Sequence, residues 1–209
     1  MAARDANCRR VVFSSSSSVY GDTPTLPKSE DMPLAPLSPY AVHKITGEYY
    51  CRIFWQLYGL ETVSLRYFNV FGPRQDPQSQ YAAVIPRFIP AILADKSPTI
   101  FGDGKQSRDF SHVENVITAN IAACEASKKA LGESFNIACG GRISLLDLVD
   151  TINKITGKNI QPKFDPPRPG DVLHSQGDIS KAQRLLGWTP HVSFREGIEK
   201  AVAWYRGQL

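Results

Sequence analysis

Read for hydrophobic and polar positions, the chain alternates short apolar runs with longer stretches of helical period. Residues 10–14, Arg-Val-Val-Phe-Ser, are an apolar run ending in small polar residues, as a buried parallel strand does at its carboxyl end. A helix is predicted from Ser38, with a serine cap, a proline at the first position, and Ala41, Ile45, Tyr49, Ile53 and Leu57 recurring at helical spacing until Gly59. Thr62 to Pro73 reads as a strand leading into a turn. Strand, helix and strand in that order make a βαβ unit with a parallel sheet.

Further along, residues 83–96 look like a helix interrupted by Pro86 and Pro90, and Pro98 to Phe101 like a short strand before the turn Gly102-Asp103-Gly104. Arg108 to Val113 reads as a strand, Val116 to Ser127 as an alanine-rich helix, Phe135 to Ala138 as a strand and Leu145 to Thr156 as a helix. After the proline-rich Pro166 to Gly170 come a short helix, Ser180 to Leu186, and an amphipathic one, Phe194 to Tyr205. No internal repeat is present. Between residues 22 and 39 stand Pro24, Pro27, Pro33, Pro36 and Pro39, which predict a structured loop.

Composition narrows the class. At 209 residues and 42% hydrophobic, the chain can bury a sizeable core in one or two domains. A net charge of +4 without a long Lys/Arg run does not indicate a nucleic-acid surface, and suits an anionic small ligand. Cys8, Cys51, Cys124 and Cys139 are widely spaced and form no CxxC, so reduced structural thiols are expected. His43, His112, His174 and His191 have no ligand-like spacing, and no metal site is expected. The N-terminus lacks an apolar run of signal-peptide length and no stretch approaches a membrane span, so a cytoplasmic protein without membrane partners is expected.

Candidate chemistry centres on Ser38-Pro39-Tyr40-Ala41-Val42-His43-Lys44. Tyr40 and Lys44 are one helical turn apart and share a face. An ammonium beside a phenol favours the phenolate, which is what a tyrosine acting as a base requires. Taken alone, the four-residue pattern is also what an accidental surface pair would give.

The surroundings decide between them. Phe13-Ser-Ser-Ser with Val19-Tyr20-Gly21, Tyr40-x-x-x-Lys44, Leu65-Arg66-Tyr67-Phe68-Asn69-Val70-Phe71-Gly72-Pro73, Arg108-Asp109-Phe110, Asn136-Ile-Ala-x-Gly140-Gly141-Arg142 and Arg168-x-Gly170-Asp171-Val172 occur in collinear order over nearly the whole chain. In this combination the sequence resembles the extended short-chain dehydrogenase/reductase family. Within it the likeness is to NAD-dependent nucleotide-sugar epimerases, most of all UDP-N-acetylglucosamine 4-epimerases.

The resemblance implies roles residue by residue. Tyr40 would take the sugar 4-hydroxyl proton while hydride moves to NAD, and Lys44 would lower the pKa of that phenol and hold the nicotinamide ribose. Ser16 would orient the same hydroxyl, with Ser14, Ser15, Ser17 and Ser18 competing for the position. Ser14 and Phe68 would also touch the cofactor, and Ser18 the substrate. Asn69, Arg108 and Arg168 match phosphate binders, Asp171 a uridine-binding carboxylate, Ala83 and Val84 backbone contacts near uracil, and Phe101 a stacking ring; Gln75 and Arg142 complete the substrate set. The similar dehydratases carry Asp and Glu where this chain has Ser17 and Ser18, which favours epimerisation over elimination. Ser175 stands where a tyrosine is associated with excluding N-acetylated sugars, so UDP-GlcNAc/UDP-GalNAc are expected substrates, with UDP-Glc/UDP-Gal also possible.

The expected fold is α/β: an incomplete Rossmann-like doubly wound parallel sheet from residues 1–73 and 107–139, and a smaller mixed α/β substrate lobe from 74–106 and 140–209. The family's glycine-rich turn at a helix N-terminus finds no counterpart, since Gly102-x-Gly104 ends in Ser107 and precedes no helix start. The chain is therefore expected to begin at the fifth strand of the family's sheet, to bind NAD poorly by itself, and to act as an epimerase only with the rest of the cofactor site. A non-catalytic nucleotide-sugar-binding module and an inactive fragment are the alternatives. Similar enzymes are homodimers through the YxxxK helix and the helix before it, which makes dimerisation of this chain doubtful.

Overall fold

The computed structural model describes residues 1–76, 83–167 and 172–208. A single helical turn, α1 (Ala2–Asp5), precedes strand β1 (Arg10–Ser16). Helix α2 (Pro39–Tyr58) then crosses over to β2 (Glu61–Tyr67), which runs parallel to β1 with Arg10 opposite Glu61 and Ser16 opposite Tyr67. Ser38 starts α2 by accepting a hydrogen bond from the Ala41 N–H, and Gly59, in the left-handed region at φ 69°, ends it. Short ladder strand β3 (Val70–Phe71) follows, and then helix α3 (Val84–Leu93) and strand β4 (Thr99–Phe101). The chain continues through β5 (Ser107–Arg108), β6 (Ser111–His112), helix α4 (Val113–Glu125), β7 (Ser134–Ile137), β8 (Ile143–Ser144), helix α5 (Leu145–Thr156), β9 (Lys163–Asp165), and helices α6 (Ser180–Leu186) and α7 (Phe194–Arg206).

The principal sheet has the order β1-β2-β7, all parallel. Because side chains alternate along a strand, its two faces have different chemistry. Val63 and Leu65 of β2 and Phe135 and Ile137 of β7 face one side, where they pack with Val116, Ala119 and Ala123 of α4. On the α2 side, Ser15, Arg66, Ser134 and Asn136 are directed into a polar network beneath α2. β2 is buried on both faces from Thr62 to Arg66.

The second core collects Ile85, Phe88, Ile89 and Ile92 of α3, Ile100 of β4, Leu148, Val149 and Ile152 of α5, and Ile198, Ala201, Val202 and Tyr205 of α7. Reciprocal side-chain and backbone bonds start α5 at Ser144 and Asp147 and α7 at Ser193 and Glu196. The parallel pair β4–β9 and the antiparallel pair β5–β8 edge this lobe.

Three local expectations change. Pro86 and Pro90 do not interrupt α3: Pro86 lies in the first turn, where no intrahelical N–H bond is lost, and the bond that Pro90 forgoes is the one to the Pro86 carbonyl. The expected strand 108–113 is two short ladders, because Asp109 between them turns its carboxylate inward onto the backbone N–H groups of Cys139, Gly140 and Gly177. Residues 180–188 do not stay with the second core. Ala182 and Trp188 pack on the sheet core beside α4, so the chain returns to the sheet before α7.

The proline-rich segment 21–38 is held as a structured loop. Lys28 bridges to Gly177, its N–H donating to Gln176 O at 2.8 Å, and Glu30 accepts from the Asn136 N–H at 2.7 Å. Gly21 has φ +63°, and a Cβ there would meet the Ala35 carbonyl oxygen at 2.0 Å.

Helix α2 approaches β1 closely at Gly47, where an added Cβ would lie 2.2 Å from Phe13 Cζ. Gly47→Ala is therefore expected to destabilise the fold by about 1–3 kcal/mol, as overpacking does, despite alanine's better helix propensity. The midpoint of urea unfolding measures it; an unchanged or raised midpoint would show that α2 is not seated on the Phe13 ring.

Candidate active site

The carboxyl ends of β1 and β2, the amino end of α2 and the loop after β9 converge on a cavity of about 400 Å³. Its walls include Ser15, Ser16, Ser17, Ser18, Tyr40, Asn69, Arg108 and Ser175. The serine run is thus no linker. β1 carries it to Ser16, whose hydroxyl accepts from the Ser18 N–H at 3.2 Å and caps a 3-10 turn from Ser17 to Tyr20.

Strand alternation separates the serines of β1. Ser15 turns under α2 and donates to Glu48 Oε1. Ser14 points the other way, its hydroxyl 3.3 Å from Tyr67 Oη, and does not line the cavity. Ser15 still belongs to the wall, together with Ser16, Ser17 and Ser18, and Ser18 Oγ is buried without a hydrogen-bond partner among the described residues.

Cap and proline place Tyr40 in the first turn of α2, at the cavity edge and 53% exposed. Lys44 follows one turn later. Its Nζ donates to Ser14 O at 2.8 Å and lies 5.3 Å from the Tyr40 ring centroid and 5.5 Å from that of Phe13. Phenol and ammonium are therefore neighbours on an open face, and the ammonium is anchored to the strand that carries the serines.

Beneath them lies a buried polar chain. Arg66 Nη2 and Glu48 Oε2 are 2.7 Å apart, and both side chains are 5% exposed. Arg66 Nη1 donates to Tyr20 Oη at 2.7 Å, and Tyr20 Oη donates to Asn136 Oδ1 at 2.7 Å. Burial pushes the Tyr20 phenol up to about 12, even with Arg66 beside it, so it stays a neutral donor. Burial would lower the Arg66 value, but the hydrogen bonds to Glu48 and Tyr20 and the charge of the Glu48 carboxylate outweigh it and the shift is upward.

On the opposite wall, Asn69 Nδ2 donates to Asp109 O at 3.2 Å and to Ser175 Oγ at 3.0 Å. Ser175 Oγ also accepts from the Asp109 N–H at 3.3 Å. Arg108 Nη1 donates to Leu173 O at 2.9 Å, and the residue lines two further cavities. One, of about 250 Å³, includes Ala83, Val84 and Phe101; the other, of about 530 Å³, includes Phe101, Lys105, Pro167 and His174. Arg108 thus stands where the three spaces meet.

Other sequence-predicted residues are placed differently. Phe68 is fully buried with Val19, Tyr20, Ile45 and Ala138 and lines none of the three cavities. Gln75 Nε2 donates to Val70 O at 3.3 Å and its backbone carbonyl accepts from Tyr205 Oη, and it lines none of the three cavities. Arg142 also lies off these walls, its Nε donating to Ser107 Oγ at 3.3 Å. Arg168 and Asp171 lie outside the described residues. Sequence reasoning missed Lys28, a buried lysine of the cavity wall, because a lysine among loop prolines carries no periodic signal. Among the described residues no group of His, Cys, Asp and Glu could hold a metal ion, and no helix is long and apolar enough to cross a membrane.

Residues 1–138 match the model of the NAD dependent epimerase/dehydratase family. A UDP-glucose 4-epimerase of Mycolicibacterium smegmatis is 41% identical over 208 residues, which cover 99% of this chain and 66% of the relative. Among solved structures, a UDP-N-acetylglucosamine 4-epimerase from Methanobrevibacter ruminantium M1, in complex with UDP-N-acetylmuramic acid, superposes with a TM-score of 0.94 at 42% identity, covering 100% of this chain and 66% of that one. A UDP-glucuronic acid 4-epimerase from Bacillus cereus, in complex with UDP-glucuronic acid and NAD, gives 0.87 at 38% identity, covering 96% and 62%. The chain therefore spans 62% to 66% of the length of these relatives.

Asp109 behind the cavity is fully buried, and desolvation pushes its carboxyl up from 3.8 to about 6 against the three N–H groups that favour the anion. A raised folded-state value means that its contribution to stability is complete below the unfolded value and is lost as pH rises through about 6. Relative to Asp109→Asn, the wild type should gain unfolding free energy as pH falls from about 7 to about 5. Chemical denaturation of both proteins at the two pH values measures this; parallel pH dependences would show that Asp109 does not titrate in this window.

Proposed function

The chain belongs to the NAD dependent epimerase/dehydratase family, and from that membership we propose that it carries the proton-transfer residues and the sugar-nucleotide site of a UDP-sugar 4-epimerase. One observation carries the reading. The cavity at the Tyr40–Lys44 pair is lined by hydroxyl, amide and cationic side chains, and among the described residues no carboxylate lines it. Elimination chemistry needs an acid and a base besides the tyrosine, whereas epimerisation at an alcohol carbon needs one group that takes a proton and returns it.

The nicotinamide end of NAD fits the open side of this pair. Tyr40 is half exposed there, and Lys44 and the backbone of Ser14 present an ammonium and a carbonyl at the same edge. NAD, when bound, supplies the hydride acceptor that makes the sugar C4 reaction reversible. Tyr40 Oη holds and returns the C4 hydroxyl proton, Lys44 stabilises the phenolate by its charge, and Ser16 orients the hydroxyl from the neighbouring wall. Asn69 and Arg108 anchor the diphosphate, and Ala83, Val84 and Phe101 border the uridine. Arg168 and Asp171 belong to the same proposed substrate set.

The proposed sugars are UDP-GlcNAc and UDP-GalNAc, with UDP-glucose and UDP-galactose as lesser substrates. Ser175 supports the acetamido sugars, since a small buried hydroxyl held by Asn69 stands in the wall of the sugar cavity. Among the described residues the family's glycine-rich pyrophosphate turn has no counterpart: Gly102 and Gly104 lie beside β4, in a turn that leads to β5 and not to a helix. The 209-residue chain is accordingly expected to bind UDP-sugars and to retain little NAD.

Two variants test the assignment. In a protein extended with the N-terminal part of a full-length relative, Tyr40→Phe should lower kcat by about 10²–10⁴-fold, the range of a general acid–base group, with little change in UDP-sugar KM. Turnover close to wild type would remove Tyr40 from the proton transfer. In the same protein Ser175→Tyr should depress kcat/KM for UDP-GlcNAc far more than for UDP-glucose, and an equal effect on both would refute the acetamido gate.

A further inference from the structure

Among the described residues, Lys28 is the one charged wall residue that the proposed chemistry leaves without a task. Its side chain is 1% exposed and lines the 400 Å³ cavity. Nζ donates to Gly21 O at 2.7 Å. An ammonium has three donors, and among the described residues that carbonyl is its one hydrogen-bond partner. Asp22 and Arg108 are the charged groups that bear on it. Enclosing a cation with one neutral partner is costly unless something else completes its shell.

The backbone around Lys28 fixes its place. Its N–H donates to Gln176 O, while its carbonyl accepts from the Asp178 N–H at 2.9 Å and from Asn136 Nδ2 at 2.8 Å. Asn136 is itself tied to Tyr20 and so to the Arg66–Glu48 pair. The backbone that carries the ammonium is therefore held in a hydrogen-bonded frame, as a recognition group requires.

Position within the three spaces indicates what it would meet. Arg108 lines all three cavities, whereas Lys28 lines only the one that also holds Tyr40 and the serines. That is the sugar end. Ser18 is a residue of the same wall, and its buried Oγ has no hydrogen-bond partner among the described residues.

We infer that Lys28 is a sugar-contacting residue, its Nζ donating to an acceptor oxygen of the sugar and thereby distinguishing a sugar nucleotide from the nucleotide alone. This deepens the UDP-sugar reading and rests on it. Lys28 takes no part in the proton transfer; it completes its own donor shell when the sugar is bound and orients the ring for Tyr40.

Calorimetric titration of wild type and Lys28→Met with UDP and with UDP-GlcNAc tests it. The variant should bind UDP as the wild type does, and UDP-GlcNAc about tenfold to a hundredfold more weakly, the range of one hydrogen bond to a charged group. Equal weakening of both ligands would make Lys28 a structural or phosphate residue, and unchanged binding of both would leave it without a ligand; either result overturns the inference. Should Lys28→Met not fold, the ¹⁵Nζ resonance of Lys28 in the wild-type chain replaces it: a shift with UDP-GlcNAc and none with UDP supports the contact, and the same response to both overturns it. Binding of UDP with no sugar-dependent effect of Lys28 leaves the nucleotide-sugar reading standing, while failure to bind either ligand overturns both.

Discussion

The Glu48–Arg66 ion pair holds the site together. Glu48 lies on the helix that carries Tyr40 and Lys44, Arg66 on the central strand, and neither side chain is more than 5% exposed. Ser15 and Ser134 donate to the same carboxylate, and Tyr20 and Asn136 extend the chain of bonds from the guanidinium. Such a pair adds little net stability over an apolar replacement, because desolvation offsets the Coulomb attraction, but losing one partner costs about 3–5 kcal/mol. Its contribution is specificity of arrangement. With Glu48 bound to both flanking strands and Arg66, α2 can sit in only one register over the sheet, and Lys44 then reaches the carbonyl of Ser14.

From that register the rest of the cavity follows. The serines at the end of β1 alternate in direction, so the residue that completes the Glu48 shell and those that face the cavity are neighbours in sequence. Asn136 links the network to Lys28, and Asp109 gathers the N–H groups of Cys139, Gly140 and Gly177 on the far side. The second core borders one of the further cavities through α3 and β4, and Arg108 stands at the junction. The proposed order of sugar, diphosphate and base follows the order of these spaces.

The βαβ unit, the apolar periods of α5 and α7, and the cap-and-proline start of α2 could be read directly, because each is a local pattern with a local cause. The broken strand around Asp109 could not, since the break comes from three N–H groups, two of them about thirty residues away and the third nearly seventy. α6 offered no hint that its Ala182 joins the sheet core, because an alanine reads alike against either lobe. Nor did Gln75 or Arg142 betray by their residue types that they would be spent on protein partners.

By itself the sequence determined the α/β class, the Tyr40–Lys44 pair on one helix face, the serine run before it and the family to which the chain belongs. These depend on spacing along the chain, which periodicity makes visible. Only the tertiary structure decided which serines face the cavity, that Ser15 is committed to Glu48, that Arg108 is common to three spaces, and that a lysine from a proline-rich loop stands in the cavity wall. Those are matters of direction and burial, set by strand alternation and by partners brought together only when the chain folds.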